Sequence, residues 1–182
     1  MTASSLPRPE EIKKMVAHAI QEVTKTMLGA EAVLETHRVI EKGEDSETSL
    51  VDDESGVVFG NVGFAGIATG MVYFGMSQAA AQRISAGMLG MTIEEVSDGH
   101  ALINDVIGEL TNMTAGTFKN QLCDRGLNCR LSIPSIIRGK YFVVEGDEAE
   151  LREIFGFRIN GDLVVFELFM KLDKGGEDDG RL

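Results

Sequence analysis

The stretch Asp105-Val-Ile-Gly-Glu109-Leu-Thr-Asn112 sets two carboxylates and a carboxamide at intervals of four and three residues. On a helix advancing about 100° per residue, these three side chains fall within roughly 60° of one another. The opposite side of the same helix carries Ile103, Ile107, Leu110 and Thr117, flanked by Val106, Met113 and Phe118. One face is thus built for a core and the other bears a polar stripe. A carboxylate and a carboxamide one turn apart could clamp a cation and orient a water. A solvated outer face has the same composition and needs no chemistry to explain it.

The residues around the stripe narrow that choice. Asn is a poor helix former at mid-helix because its side chain competes for backbone hydrogen bonds, so Asn112 asks for a reason. Gly108 and Gly116 each lower helix propensity by about 1 kcal/mol relative to Ala. Together with Ala115 they suggest a surface that another protein's backbone can approach. Asp105, early in the helix, also suits the helix macrodipole alone.

At Asp105, Glu109, Asn112 and the later Pro134 the chain resembles the CheX/CheC/FliY family of phosphatases, whose motif is an Asp or Ser, then Glu, then Asn on one helical face, followed by a Pro. The likeness extends upstream through Thr69-Gly-Met-Val-Tyr-Phe-Gly-Met-Ser-Gln-Ala-Ala-Ala-Gln-Arg-Ile and Met88-Leu-Gly. Downstream it takes in Cys129-Arg-Leu-Ser-Ile-Pro134-Ser-Ile-Ile-Arg-Gly, and in all it runs from about residue 8 to about residue 172.

The resemblance implies an enzyme that removes phosphate from the aspartyl-phosphate of a CheY-like response regulator in chemotaxis or related two-component signalling. By the same resemblance Glu109 pairs with the regulator's active-site Lys, Asn112 enters its phosphorylation site and orients the attacking water, and Asp105 and Pro134 support them. No cofactor of the chain's own is implied, because the phosphorylated regulator supplies the Mg²⁺. With a single copy of the motif the chain looks closest to the CheX type, known as a dimer. The alternative within this fold is a non-catalytic adaptor, resembling a flagellar-switch component, that binds a response regulator without hydrolysis.

Composition sets the outer limits. With 182 residues, 43% hydrophobic and 25% charged, the chain suits a single domain with a sizeable core. Its formal net charge of −12 argues against nonspecific nucleic-acid binding, which needs a basic surface. The amino terminus lacks a basic start followed by an apolar run, and no stretch approaches the ~20 apolar residues of a membrane span, so a cytoplasmic protein is expected. Cys123 and Cys129 have no His close by in sequence and read as structural thiols rather than zinc ligands. His18, His37 and His100 share no ligand-like or triad-like spacing, and no G-x-S-x-G motif is present.

The elements that must position the stripe follow from periodicity and punctuation. Pro9, with Glu10 and Glu11 behind it, opens a helix whose apolar residues Ile12, Met15, Val16, Ala19, Val23 and Met27 recur at helical spacing until Gly29. Ala32 to Ile40 reads as a strand, and residues 41–56 as an acidic, solvated loop without the spacing of an EF-hand. Val57–Gly66 and Ile67–Gly75 read as paired strands whose glycines mark bulges or close backbone packing rather than a nucleotide loop.

Ser77 caps a helix to Gly90, Thr92-Ile-Glu-Glu95 forms a capping box, and the motif helix runs from Gly99 to near Gly126. Strands are expected at Leu127–Ile133, Tyr141–Glu145, Leu151–Ile159 and Leu163–Leu172, the last two joined across Asn160-Gly161. The tail 173–182, rich in Gly and acidic residues, reads as frayed. The fold class is therefore α+β, an antiparallel sheet covered by long helices, and its edge strands are a plausible place for dimer pairing.

Overall fold

Alternation of β-branched and aromatic residues produces the strands, and three amphipathic segments produce the long helices. The computed structural model describes residues 5–41, 44, 56–97, 99–140 and 149–173. Helix α1 (Pro9–Leu28) ends on Gly29, which adopts φ 61°, and leads into β1 (Ala32–Val39). Strands β2 (Val57–Gly66) and β3 (Ala68–Ser77) precede α2 (Gln78–Leu89), capped by Ser77 Oγ, which accepts from the Ala80 N–H at 3.1 Å. The short α3 (Ile93–Ser97) opens on the expected box, with the Thr92 N–H donating to Glu95 Oε2 and the Glu95 N–H to Thr92 Oγ1.

Helix α4 (His100–Asp124) follows, then β4 (Cys129–Leu131), β5 (Ser135–Gly139), β6 (Leu151–Ile159) and β7 (Asp162–Leu172). The turn between β6 and β7 has positive φ at both central residues, 50° at Asn160 and 91° at Gly161. That conformation suits the right-handed twist of a two-residue hairpin.

The strands make one seven-stranded sheet in the order β1-β6-β7-β3-β2-β4, with β5 also on β2 and every pairing antiparallel. Cross-strand neighbours such as Val62–Val72 and Phe74–Phe166 share the face on which α1, α2 and α4 lie, and all of them belong to the main core. The α+β architecture with helices over an antiparallel sheet is therefore as expected.

Two registers slip. On β1 the pairing with β6 shifts between Leu34 and Thr36, leaving Glu35 outside the ladder, where it pairs with Arg158 at 2.9 Å. Beside β2, Leu131 faces Phe64 and Ser135 faces Asn61, and Ser132 exchanges a bond with Gly63, so Ile133 and Pro134 together oppose Val62. This is a β-bulge, a place where a proline without an N–H is tolerated.

Several expectations need correction here. The segment expected as a strand over Leu127–Ile133 is ladder only at Cys129–Leu131, and pairing resumes in Ser135–Gly139, which periodicity did not suggest because the bulge breaks the alternation. Ile67 belongs to the turn before β3, not to the strand. The expected strand Tyr141–Glu145 lies outside the described residues, as do most of the acidic segment 41–56 and the tail beyond Asp173.

Candidate active site

Helix α4 is held from beneath by apolar burial: Ile103, Ile107, Leu110, Phe118 and Leu122 are all sealed in the core. Side chains of this kind contribute roughly 1.5–3 kcal/mol each when fully buried. The helix comes close to the sheet because β2 presents Gly60 under it, where a Cβ would overlap Thr111 Oγ1. Thr111 satisfies its own hydroxyl by donating to the Ile107 carbonyl at 2.6 Å. Lateral ties fix the rest. Gln121 Nε2 donates to the Met15 carbonyl of α1 at 3.0 Å, and Arg125 pairs with Glu11 at 2.7 Å. That guanidinium, assisted by Arg8, holds the Glu11 carboxyl down at about 2.

At the other end of α4, Arg138 of β5 works as a three-way latch. Its Nε donates to Asn104 Oδ1 at 2.8 Å, its other nitrogens reach Gln78 Oε1 and the His100 carbonyl, and burial lowers its pKa. One side chain thus joins β5 to the first turns of α2 and α4. Long-range partners of this kind leave no trace in local sequence, and none of these three polar residues stands out by spacing.

On this fixed helix the predicted stripe faces outward. Asp105 and Glu109 are exposed and Asn112 is half-buried, while their neighbours Val106, Ile107, Gly108, Leu110 and Thr111 are buried. Among the described residues none of the three polar side chains has an intramolecular hydrogen bond or ion pair. Gly116 continues the stripe one turn on, and a Cβ there would meet nothing within 4 Å.

The small residues need a different reading from the expected one. Ala115 lies in the core and Gly108 is buried, with Ile136 Cδ1 3.9 Å from where a Cβ would sit. They make room for β5 and the sheet rather than for an outside backbone, and only Gly116 is open.

Pro134 is half-buried in the bulge. Its level along α4 follows from its neighbours, since Arg138 meets Asn104 and Ile136 meets Gly108, two strand residues for each four of the helix. Those steps match, at about 6.7 Å for the strand and about 6 Å for the helix. The next step falls in the bulge, whose Ile133 and Pro134 both oppose Val62, two residues along β2 from the Gly60 that lies under Thr111. Further along, Cys129 meets Cys123. Cys129 is buried and Cys123 half-buried, and burial together with the neighbouring Cys123 thiol pushes the Cys129 pKa up to about 11, the behaviour of an inert thiol.

An open carboxylate and an open carboxamide on one rigid surface can accept a cationic side chain and align a water for an external reacting centre. Among the described residues no group of three or more His, Cys, Asp or Glu could hold a metal ion, and no helix is long and apolar enough to cross a membrane.

Residues 58–157 match the sequence model of the family described as Chemotaxis phosphatase CheX. No curated protein sequence matches the chain. Among solved structures, a chemotaxis protein CheX from Desulfovibrio desulfuricans superposes with a TM-score of 0.71 at 22% identity, over 88% of this chain and 99% of that one. The CheX-CheY-BeF3-Mg²⁺ complex from Borrelia burgdorferi gives 0.69 at 16% identity, over 88% and 97%. The FliM middle domain from Vibrio alginolyticus gives 0.58 at 13% identity, over 91% and 94%.

Proposed function

The chain belongs to the CheX family, and we propose that it dephosphorylates the aspartyl-phosphate of a CheY-like response regulator. The observation that carries this reading is the outward stripe of α4, where Glu109 and Asn112 stand one turn apart with no partner among the described residues. Phosphoryl transfer passes through a loose transition state and is catalysed chiefly by positioning and charge stabilisation. A regulator that already holds the phosphoryl group and its Mg²⁺ therefore needs only an aimed water.

In this reading the Asn112 carboxamide accepts a hydrogen bond from the water and donates one, setting it in line with the phosphorus–oxygen bond to be broken. Glu109 accepts a charge-assisted bond from the regulator's active-site Lys and fixes the docking angle. Asp105 adds negative charge to the same face, and Pro134 stiffens the bulge beside Asn112. The Mg²⁺ is the regulator's, and the protein acts in the cytoplasm as a homodimer.

A second reading takes the fold shared with the FliM middle domain as its support: an adaptor that binds the regulator without hydrolysis. The presence of both Glu109 and Asn112 favours catalysis, because binding alone has no use for a water-orienting amide. The decay of a phosphorylated CheY-type regulator, followed with and without the protein, tests the proposal. Decay should accelerate in proportion to substoichiometric protein and lose most of that acceleration in N112A. Tight binding with no acceleration at any concentration would establish the adaptor instead.

A further inference from the structure

Ile133 is 87% exposed, whereas the next most exposed large apolar side chain among the described residues is Val33 at 51%. It is also held in place. The Ser132 N–H donates to the Gly63 carbonyl at 2.8 Å, Ser132 Oγ accepts from the Gly63 N–H at 2.9 Å, and the same hydroxyl donates to the Ile133 carbonyl at 3.1 Å. On its other side Pro134 fixes its own φ and restricts the residue before it to extended backbone. A bulge re-aims the side chains it contains, and this one turns an isoleucine out of the sheet.

Ile133 and Pro134 oppose Val62, two residues along β2 from the Gly60 that lies under Thr111, which sets Ile133 at the level of α4 that follows Asn112. We infer that Ile133 is the apolar anchor of the docking surface, seated in an apolar depression next to the phosphorylation pocket of the regulator's receiver domain. This rests on the function proposed above and adds to it the contact that supplies affinity. The open space at Gly116 leaves a flat approach between the polar stripe and this projecting side chain. Polar groups of the stripe give register, and an apolar group rigidly set beside them gives attraction with little side-chain entropy lost on docking. Full burial of an isoleucine is worth a factor of roughly 10 to 100 in an equilibrium.

The test titrates CheY-type receiver domains carrying Mg²⁺ and beryllofluoride into wild type, Ile133→Asp, Ile133→Ala and Ile133→Leu, and measures dephosphorylation by the same proteins. The Asp variant should bind at least about tenfold more weakly, with the loss in KM and kcat within about twofold of wild type. The Ala variant should be intermediate and the Leu variant close to wild type. Wild-type affinity in Ile133→Asp overturns the inference while leaving the phosphatase reading standing. Loss of self-association with receiver affinity intact would also overturn it, assigning Ile133 to a contact between copies of this chain. Ile133-dependent binding without acceleration by wild type supports the anchor and removes the phosphatase reading. A wild-type protein that neither binds nor accelerates removes both.

Discussion

The outer stripe of α4 and the paired strands β6 and β7 use carboxylates in opposite ways. On α4, Asp105 and Glu109 stand exposed with no partner among the described residues. On β6 and β7, Glu153 is 0% and Glu167 1% exposed, each beside a basic side chain: His37 Nε2 lies 2.6 Å from Glu153, and Arg152 lies 2.7 Å from Glu167. Burial pushes both buried carboxyls up, Glu167 to about 6, against the opposing pull of their partners. Among the described residues one oxygen of each has no hydrogen-bond partner.

Perturbed protonation is often taken as a sign of function. Here the perturbed carboxylates are consumed by the fold, and the groups proposed for chemistry lie on the outer face of α4, Glu109 exposed and Asn112 half-buried. A site proposed to act on another protein's phosphoryl group and metal has no need of tuned groups of its own. It needs polar groups that nothing inside the molecule has claimed.

Separating stability from activity in the two regions tests this contrast. The largest effect is expected from Arg152→Ala, which strands Glu167 as a buried carboxylate and should cost about 3–5 kcal/mol in urea unfolding. The phosphatase activity per folded molecule should not change, and a loss of activity at full stability would merge the two regions. Asn112→Ala should do the reverse, lowering regulator dephosphorylation on the order of 10²- to 10³-fold with an unchanged unfolding midpoint. A midpoint shifted with the rate intact would return Asn112 to the structural class.

Glu167 provides a pH signature. Because its folded pKa lies above its ordinary value of 4.5, the folded state holds the proton more tightly than the unfolded chain. Its contribution to stability is full below about 4.5 and falls as pH rises through about 6, by about 2 kcal/mol in total. Unfolding measured across that window should lose this component in Glu167→Gln, and an unchanged slope would show that the carboxyl titrates normally. The smallest effect belongs to Glu109→Ala, which should weaken docking about tenfold, with Glu109→Lys weaker still and added salt weakening the wild-type complex. Equal affinities for all three proteins would make Glu109 a solvated surface residue.

What could be read from the sequence was whatever local rules govern. The 3.6-residue period exposed the two faces of α4, Pro9 and Gly29 bracketed α1, and Asn160-Gly161 announced the β6–β7 turn. Contacts made by distant segments were out of reach. Helical spacing sets Gly108 next to Asn112, but only the docking of β5 shows that Ile136 already fills that side. The bulge at Ile133–Pro134 hid a strand, because one extra residue reverses the alternation on which strand recognition relies. The partner of Glu153 lies 116 residues away on β1, and that of Glu167 is set by the register of the β6–β7 hairpin.

The two slipped registers have a consequence for how the molecule behaves in a crowd. A sheet's outermost strands carry unpaired backbone groups, and a long regular margin recruits further strands into aggregates. Here β1 is broken at Glu35, and the opposite margin is divided by Ile133 and Pro134 into runs of three and five residues. Among the described residues neither margin carries an unbroken run of more than five paired residues. Growth by strand addition is thereby disfavoured on both sides while Ile133 stays exposed, so association through this part of the surface is selected by side chains rather than by an open ladder.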